Sequence, residues 1–120
     1  MKSAELQRRT KAFALRVLKL VEHLPRTVVG RILADQLARS ATSVGANYRA
    51  ACRARSRAEF AAKIGIVAEE ADESPFWLEL IDEGKFMPQK RIALLLAEAD
   101  ELTAIFTSGR RSASKPQTSS

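Results

Sequence analysis

Arg49, Arg53, Arg55 and Arg57 fall within nine residues, and Arg8, Arg9 and Lys11 make a second cluster near the N-terminus. A guanidinium is a planar fork of N–H donors that matches phosphate oxygens two at a time. Such clusters suit contacts to a nucleic-acid backbone, which position a strand without reading its sequence. No aromatic residue is interleaved with either cluster. Base stacking is therefore not supported, and the expected contacts are to phosphate.

Other chemistry is sparse. His23 is the only histidine and stands beside Pro25 at a helix end, where it caps carbonyls or faces solvent. Cys52 is the only cysteine; Arg49, Arg53 and Arg55 are near it in sequence, but no second Cys or neighbouring His completes a nucleophilic pair. Glu69, Glu70, Asp72 and Glu73 form an acidic run, read as a solvated face or a partner for arginine rather than a cation site. Phosphate-loop, dinucleotide and nucleophile-elbow motifs are missing, as is any Glu-x-x-His pair. The expectation is a protein that is not an enzyme, with no cofactor, metal or small-molecule substrate.

The elements that must carry these residues are helices. Ala, Leu, Arg, Lys and Glu dominate the 120 residues, with only five Gly and four Pro. Leu6, Thr10, Phe13, Val17, Leu20 and Leu24 repeat at alternating spacings of four and three, and Pro25 ends that stripe. A second helix spans about Thr27–Ala54, with Thr27 as N-cap and a face of Leu33, Leu37, Ser40, Val44, Asn47 and Ala51. Its Ala38, Ala41, Gly45, Ala46 and Ala50 make it thin, and Gly30 and Gly45 each weaken it by ~1 kcal/mol relative to Ala. Ser56 and Glu59 form a capping box at the start of a third helix. That helix carries Phe60, Ile64, Val67, Ala71, Ser74, Leu78 and Ile81, is kinked at Pro75, and ends at Gly84 as a left-handed cap. A fourth opens at Pro88 with Ile92, Leu95, Ala99, Leu102 and Phe106.

Short connections force neighbouring helices antiparallel, which predicts an all-α, up-down-up-down four-helix bundle over residues 1–107. Residues 108–120, rich in Ser and basic groups, are expected to form a disordered tail. The longest apolar run, Ile92–Ala97, is far short of the ~20 residues that span a bilayer. No apolar leader follows Met1, so the expected location is cytoplasmic, without membrane association.

The net charge of +6 is unevenly spread. Residues 1–58 carry 13 Lys+Arg against 3 Asp+Glu, residues 59–107 carry 4 against 11, and the last 13 residues carry 3 against none. Two readings stand: basic and acidic halves that pair within or between chains, or an uncovered basic face that attracts polyanions.

The stretch Gln36-Leu37-Ala38-Arg39-Ser40-Ala41-Thr42-Ser43-Val44-Gly45-Ala46-Asn47-Tyr48-Arg49 resembles the signature of the four-helix bundle family typified by the 23S rRNA intervening-sequence protein. The resemblance continues through Arg53-Ala54-Arg55-Ser56, Phe60, Lys63, Glu70-Ala71-Asp72-Glu73-Ser74 and Phe76-Trp77-Leu78-Glu79-Leu80, covering about residues 10–107. It implies a small bundle that assembles into a ring-like homopentamer, with no established activity or cofactor. Some members are encoded within intervening sequences of large-subunit rRNA genes. The accessory protein of diversity-generating retroelements, similar in fold, binds nucleic acid. Two positions depart from the pattern: Ala50, where relatives often carry Glu, and Pro75, where an aliphatic residue is usual.

Gln36, Arg39, Ser40, Ser43, Asn47, Tyr48, Glu70, Glu73, Trp77 and Glu79 are the family-like residues, read as packing or subunit contacts. Buried polar groups among them must hydrogen-bond, and Arg39 is expected to pair with the Glu69–Glu73 run. The functional expectation is an oligomeric nucleic-acid-binding bundle, RNA or DNA, acting through Arg49, Arg53, Arg55, Arg57, Arg8, Arg9 and Lys11. The alternative is a self-assembling or protein-binding scaffold.

Overall fold

The computed structural model describes residues 1–115. Four helices follow in order: α1 (Ser3–Val21), α2 (Val28–Cys52), α3 (Arg57–Glu83) and α4 (Gln89–Ser114). Each packs on its neighbour in sequence, and α4 closes sparsely on α1, so the four form an antiparallel bundle. No strand occurs among the described residues.

The predicted stripes are the core. Leu6, Thr10, Phe13, Val17, Leu20 and Leu24 are all buried, as are Leu33, Leu37, Ser40, Val44 and Ala51 of α2. Ile64, Val67, Ala71, Ser74, Leu78 and Ile81 of α3 meet Ile92, Leu95, Ala99, Leu102 and Phe106 of α4. Phe60 departs from this pattern, being 36% exposed. It lies in the first turn of α3, where the nearby α4 positions include Gly109, Ser112 and Ala113, too small to cover a ring.

The buried polar groups are satisfied. Ser40 and Ser74 share a hydroxyl–hydroxyl hydrogen bond of 3.1 Å between α2 and α3. Pro75 is buried inside α3, which continues through it as one helix. A proline has no N–H, so the carbonyl of Ala71 loses its helical donor. Thr103 of α4 replaces it: its Oγ1 lies 2.8 Å from the Ala71 oxygen and 2.8 Å from the Ala99 oxygen. Its one proton serves either carbonyl.

Helix ends largely follow the expected signals. Thr27 accepts from the Gly30 amide at 3.1 Å, and Ser56 accepts from the Glu59 amide at 3.0 Å. Glu59 reaches back to the Arg55 amide rather than to that of Ser56, at 3.4 Å. The left-handed residue after α3 is Lys85, with φ of 58°, not Gly84. Lys85 and Phe86 donate to Asp82 and Ile81, closing a Schellman motif one residue later than expected. Gly84 is needed instead for the close approach of the Phe86 ring.

The expected boundary at residue 107 is corrected. Helix α4 continues through Gly109 to Ser114. Ser114 donates to the Arg110 carbonyl, and the Arg57 guanidinium donates to the Lys115 carbonyl at 3.2 Å. Backbone pairing and a side-chain anchor hold this segment where composition alone suggested a tail. The remainder of the expected tail, residues 116–120, lies outside the described residues.

Candidate functional site

Successive residues on a helix point about 100° apart, so Arg8 and Arg9 face different neighbours. Arg8 and Lys11 lie on the flank of α1 beside α2. Arg49 and Arg53 lie on the facing flank of α2's last turns. Together these four cations rim a groove of about 470 Å³. Its floor and walls are Ala4, Gln7, Ala14, Thr42, Gly45 and Ala46. Arg49 in the last turn of α2 and Arg53 at its C-cap thus oppose Arg8 and Lys11 on α1. All four are exposed, and among the described residues none has a carboxylate partner within ion-pair distance.

The remaining residues of the two basic clusters are elsewhere. Arg9 turns toward α4 and forms a bidentate pair with Glu98, at 2.7 and 2.8 Å, and a second contact with Glu101 at 2.8 Å. These hydrogen bonds raise the guanidinium pKa further and fix its charge. Arg55 extends into solvent, 92% exposed, with Glu59 at 3.9 Å. Arg57 crosses to the α3/α4 side and holds the end of α4. The turn between α2 and α3 therefore splits the cluster that looked continuous in sequence. Arg9, Arg55 and Arg57 do not line the groove.

The groove's small residues were legible only as a thin helix. Gly45 is informative because a Cβ there would meet Thr10 backbone atoms at 3.6–3.7 Å, an ordinary contact. Close helix packing does not require glycine at this position. At Gly30 it does, since a Cβ would overlap the carbonyl of Pro25.

The family-like residues form a separate cluster on the α2/α3 face. Arg39 donates to Gln36, Glu70 and Glu73, with the Glu70 contact at 3.3 Å. The Trp77 indole N–H donates to Glu73 at 3.0 Å. The expected pairing of Arg39 with the acidic run is present, through Glu70 and Glu73. Asn47 donates to the Ser43 carbonyl within α2, at 2.9 Å. Glu79 is exposed and outside this network. Tyr48 is buried beside Phe106, with ring centroids 5.2 Å apart. Burial, helped by a hydrogen bond to Cys52, pushes its phenol up to about 12.

No group of three or more His, Cys, Asp or Glu side chains able to hold a metal occurs among the described residues. No described helix is long and apolar enough to cross a membrane.

The model of the family described as 23S rRNA-intervening sequence protein matches residues 2–108. No curated protein matches the sequence. The chain is similar to a crystal structure from Bacteroides thetaiotaomicron VPI-5482, described as a protein of unknown function from the S23 ribosomal protein family. Identity is 30%, the TM-score is 0.79, and the similarity covers 88% of this chain and 97% of that one. The four helices, the Arg39 cluster and a family match spanning the bundle lead to one conclusion: this chain belongs to the 23S rRNA-intervening sequence protein family.

Proposed function

We propose that the chain is a non-enzymatic, self-associating bundle that binds nucleic-acid backbone in the α1/α2 groove. The observation that carries this reading is the convergence of Arg8, Lys11, Arg49 and Arg53 on one concave surface with no carboxylate among them. Carboxylates quench arginine elsewhere in this molecule, at Arg9 and Arg39. Unquenched cations across a groove favour a polyanion, and the family description, 23S rRNA-intervening sequence protein, lends support to an RNA.

Self-association is supported by a second surface. Val28, Val29 and Ile32 at the start of α2 and Phe76 and Leu80 near the end of α3 are exposed at the same end of the bundle. Ile32 lies two turns before Arg39, and Leu80 two turns after Glu73, so in this antiparallel pair both border the Arg39 cluster on the same side. An apolar patch beside fixed polar groups suits a subunit contact. A ring, as the family resemblance implies, would repeat the groove and add avidity.

The test compares two double reversals by fluorescence anisotropy on a labelled RNA hairpin. Arg49→Glu with Arg53→Glu is expected to weaken binding by at least about 30-fold through loss and reversal of phosphate contacts. Arg55→Glu with Arg57→Glu, outside the groove, is expected to change it less than about 3-fold. Equal effects would remove the assignment to the groove. Absence of binding by the parent protein at low salt would favour the scaffold reading, for which the exposed acids Glu69, Asp72, Glu79 and Glu83 of α3 offer a counter-surface.

A further inference from the structure

We infer that the cavity between the start of α3 and the end of α4 binds a small amphipathic carboxylate, its aliphatic body among the helices and its head on Arg57. The cavity holds about 390 Å³, within the range of small-molecule sites. Leu6, Tyr48, Ile64 and Phe106 are its buried lining, one from each helix. Phe60 and Ile105 add apolar surface, and nothing in the bundle covers the Phe60 ring, which is 36% exposed. No sequence motif announces such a site, because its lining comes from all four helices.

The chemistry of the lining sets the class of ligand. The Tyr48 hydroxyl is engaged by Cys52, so the polar side chains left to a ligand are Arg57 and Ser112, both exposed. The Arg57 guanidinium donates to the Lys115 carbonyl at 3.2 Å, which holds it beside the cavity. That bond leaves its charge uncancelled, since among the described residues no carboxylate lies within ion-pair distance of it. Its remaining N–H donors match the two oxygens of a carboxylate. An apolar interior with one free cation at its edge selects a molecule that is apolar at one end and anionic at the other. From Ile105 to Ala113 the cavity follows α4 for about 12 Å, which suits a chain of medium length. Gly109 keeps this space open. A Cβ there would stand 4.0 Å from Ile64, so packing does not require glycine, although glycine weakens a helix. The patch proposed for self-association, at the start of α2 and the end of α3, lies at the opposite end of the bundle, so a second copy seated there leaves the cavity free.

The experiment titrates the isotope-labelled full chain with sodium decanoate and with decanol, both below micelle-forming concentrations, and follows the backbone amides by NMR. Decanoate is expected to shift Phe60, Gly109 and Ala113, and to bind at least about 10-fold tighter than decanol, the scale of one charge-assisted hydrogen bond. Arg57→Gln is expected to bring decanoate down to the decanol level. Gly109→Leu, which fills the cavity with a good helix former, is expected to remove decanoate binding at an unchanged urea midpoint. Arg57→Gln lies outside the core and tests the head even where Gly109→Leu lowers that midpoint. A parent that binds neither compound, shifts confined to other residues, equal affinity for decanoate and decanol, or full decanoate affinity in either folded variant would each overturn the inference.

Discussion

Arg8 and Arg9 are adjacent in sequence and opposite in circumstance. Arg9 is clasped by Glu98 and Glu101 where α1 meets α4, whereas Arg8 stands over the α1/α2 groove with no carboxylate of the described residues within ion-pair distance. The same contrast separates the two glycines of α2. Gly30 is pressed against the Pro25 carbonyl, while Gly45 has room for a methyl group. One region of the molecule satisfies its charges and fills its space; the other leaves both open. Stability explains the first region. On the function proposed above, a polyanionic ligand is what the uncancelled cations of the second region serve.

The glycine pair gives the largest expected effect. Gly30→Ala forces a Cβ into backbone, which cannot give way as a side chain can. A loss of about 3 kcal/mol is expected in urea unfolding. A change below about 0.5 kcal/mol, the level of an ordinary surface substitution, would show that the Pro25 turn shifts freely and that Gly30 is no tighter than Gly45.

Tyr48 tests the sealed region by pH. Burial raises its phenol from 10.0 to about 12, so the folded chain holds this proton more tightly than the unfolded one. The associated stability is complete below pH 10 and is lost as pH rises toward 12. Its size is on the order of 2 kcal/mol. Tyr48→Phe is expected to flatten the alkaline limb of a stability–pH curve relative to the parent. Identical limbs would place the Tyr48 hydroxyl in water.

Arg9→Ala leaves Glu98, only 18% exposed, without its bidentate donor. A loss of about 1–2 kcal/mol is expected, discounted because Glu101 is largely solvated. Nucleic-acid affinity is expected to hold within about 2-fold, against at least about 5-fold weakening for Arg8→Ala at unchanged stability. Matching phenotypes at the two positions would erase the contrast between them.

Thr103→Val probes how completely the sealed region is satisfied. It strips the Ala71 carbonyl of the donor that replaces the missing Pro75 amide, for an expected loss of about 1 kcal/mol. In a Pro75→Ala background the helix supplies its own donor to Ala71, and the same substitution is expected to cost less than about 0.5 kcal/mol. Additive losses in the double-mutant cycle would mean that Thr103 serves only Ala99.

These particulars also show what a sequence reading reaches. Heptad spacing located the core because burial in a bundle follows from 3.6-residue periodicity alone, and Thr27 and Ser56 marked helix starts because capping is local. The Arg39 pairing with Glu70 and Glu73 was legible through complementary charge on neighbouring helices. The groove was half legible. Arg49 and Arg53 stood out by density, but their separation from Arg55 and Arg57 depends on where the α2–α3 turn points. Likewise Arg8 and Arg9 diverge only once the angular positions of α2 and α4 around α1 are known. Thr103 carried no sequence signal, since its role is defined by a carbonyl on another helix. The continuation of α4 past Gly109 was hidden because a glycine and a run of polar residues read as a stop, while the Arg57–Lys115 bond that anchors it is tertiary.

Gly45→Ala carries the smallest energetic effect and the sharpest discrimination. Its new Cβ would meet Thr10 at ordinary contact distance, so nothing opposes the gain in helix propensity. The variant is expected to be more stable by about 0.5–1 kcal/mol, read as a higher urea midpoint at unchanged slope. The added methyl group faces Thr10 of α1 and leaves the four cations in place, so affinity for a short labelled RNA is expected to stay within about 2-fold. A substitution that stabilises the fold while leaving affinity unchanged separates stability from binding more cleanly than any charge reversal, because it alters no electrostatic field. If Gly45→Ala instead destabilises the bundle, glycine is there for the helices, and the open floor of the groove is a consequence of packing rather than a provision for a polyanion.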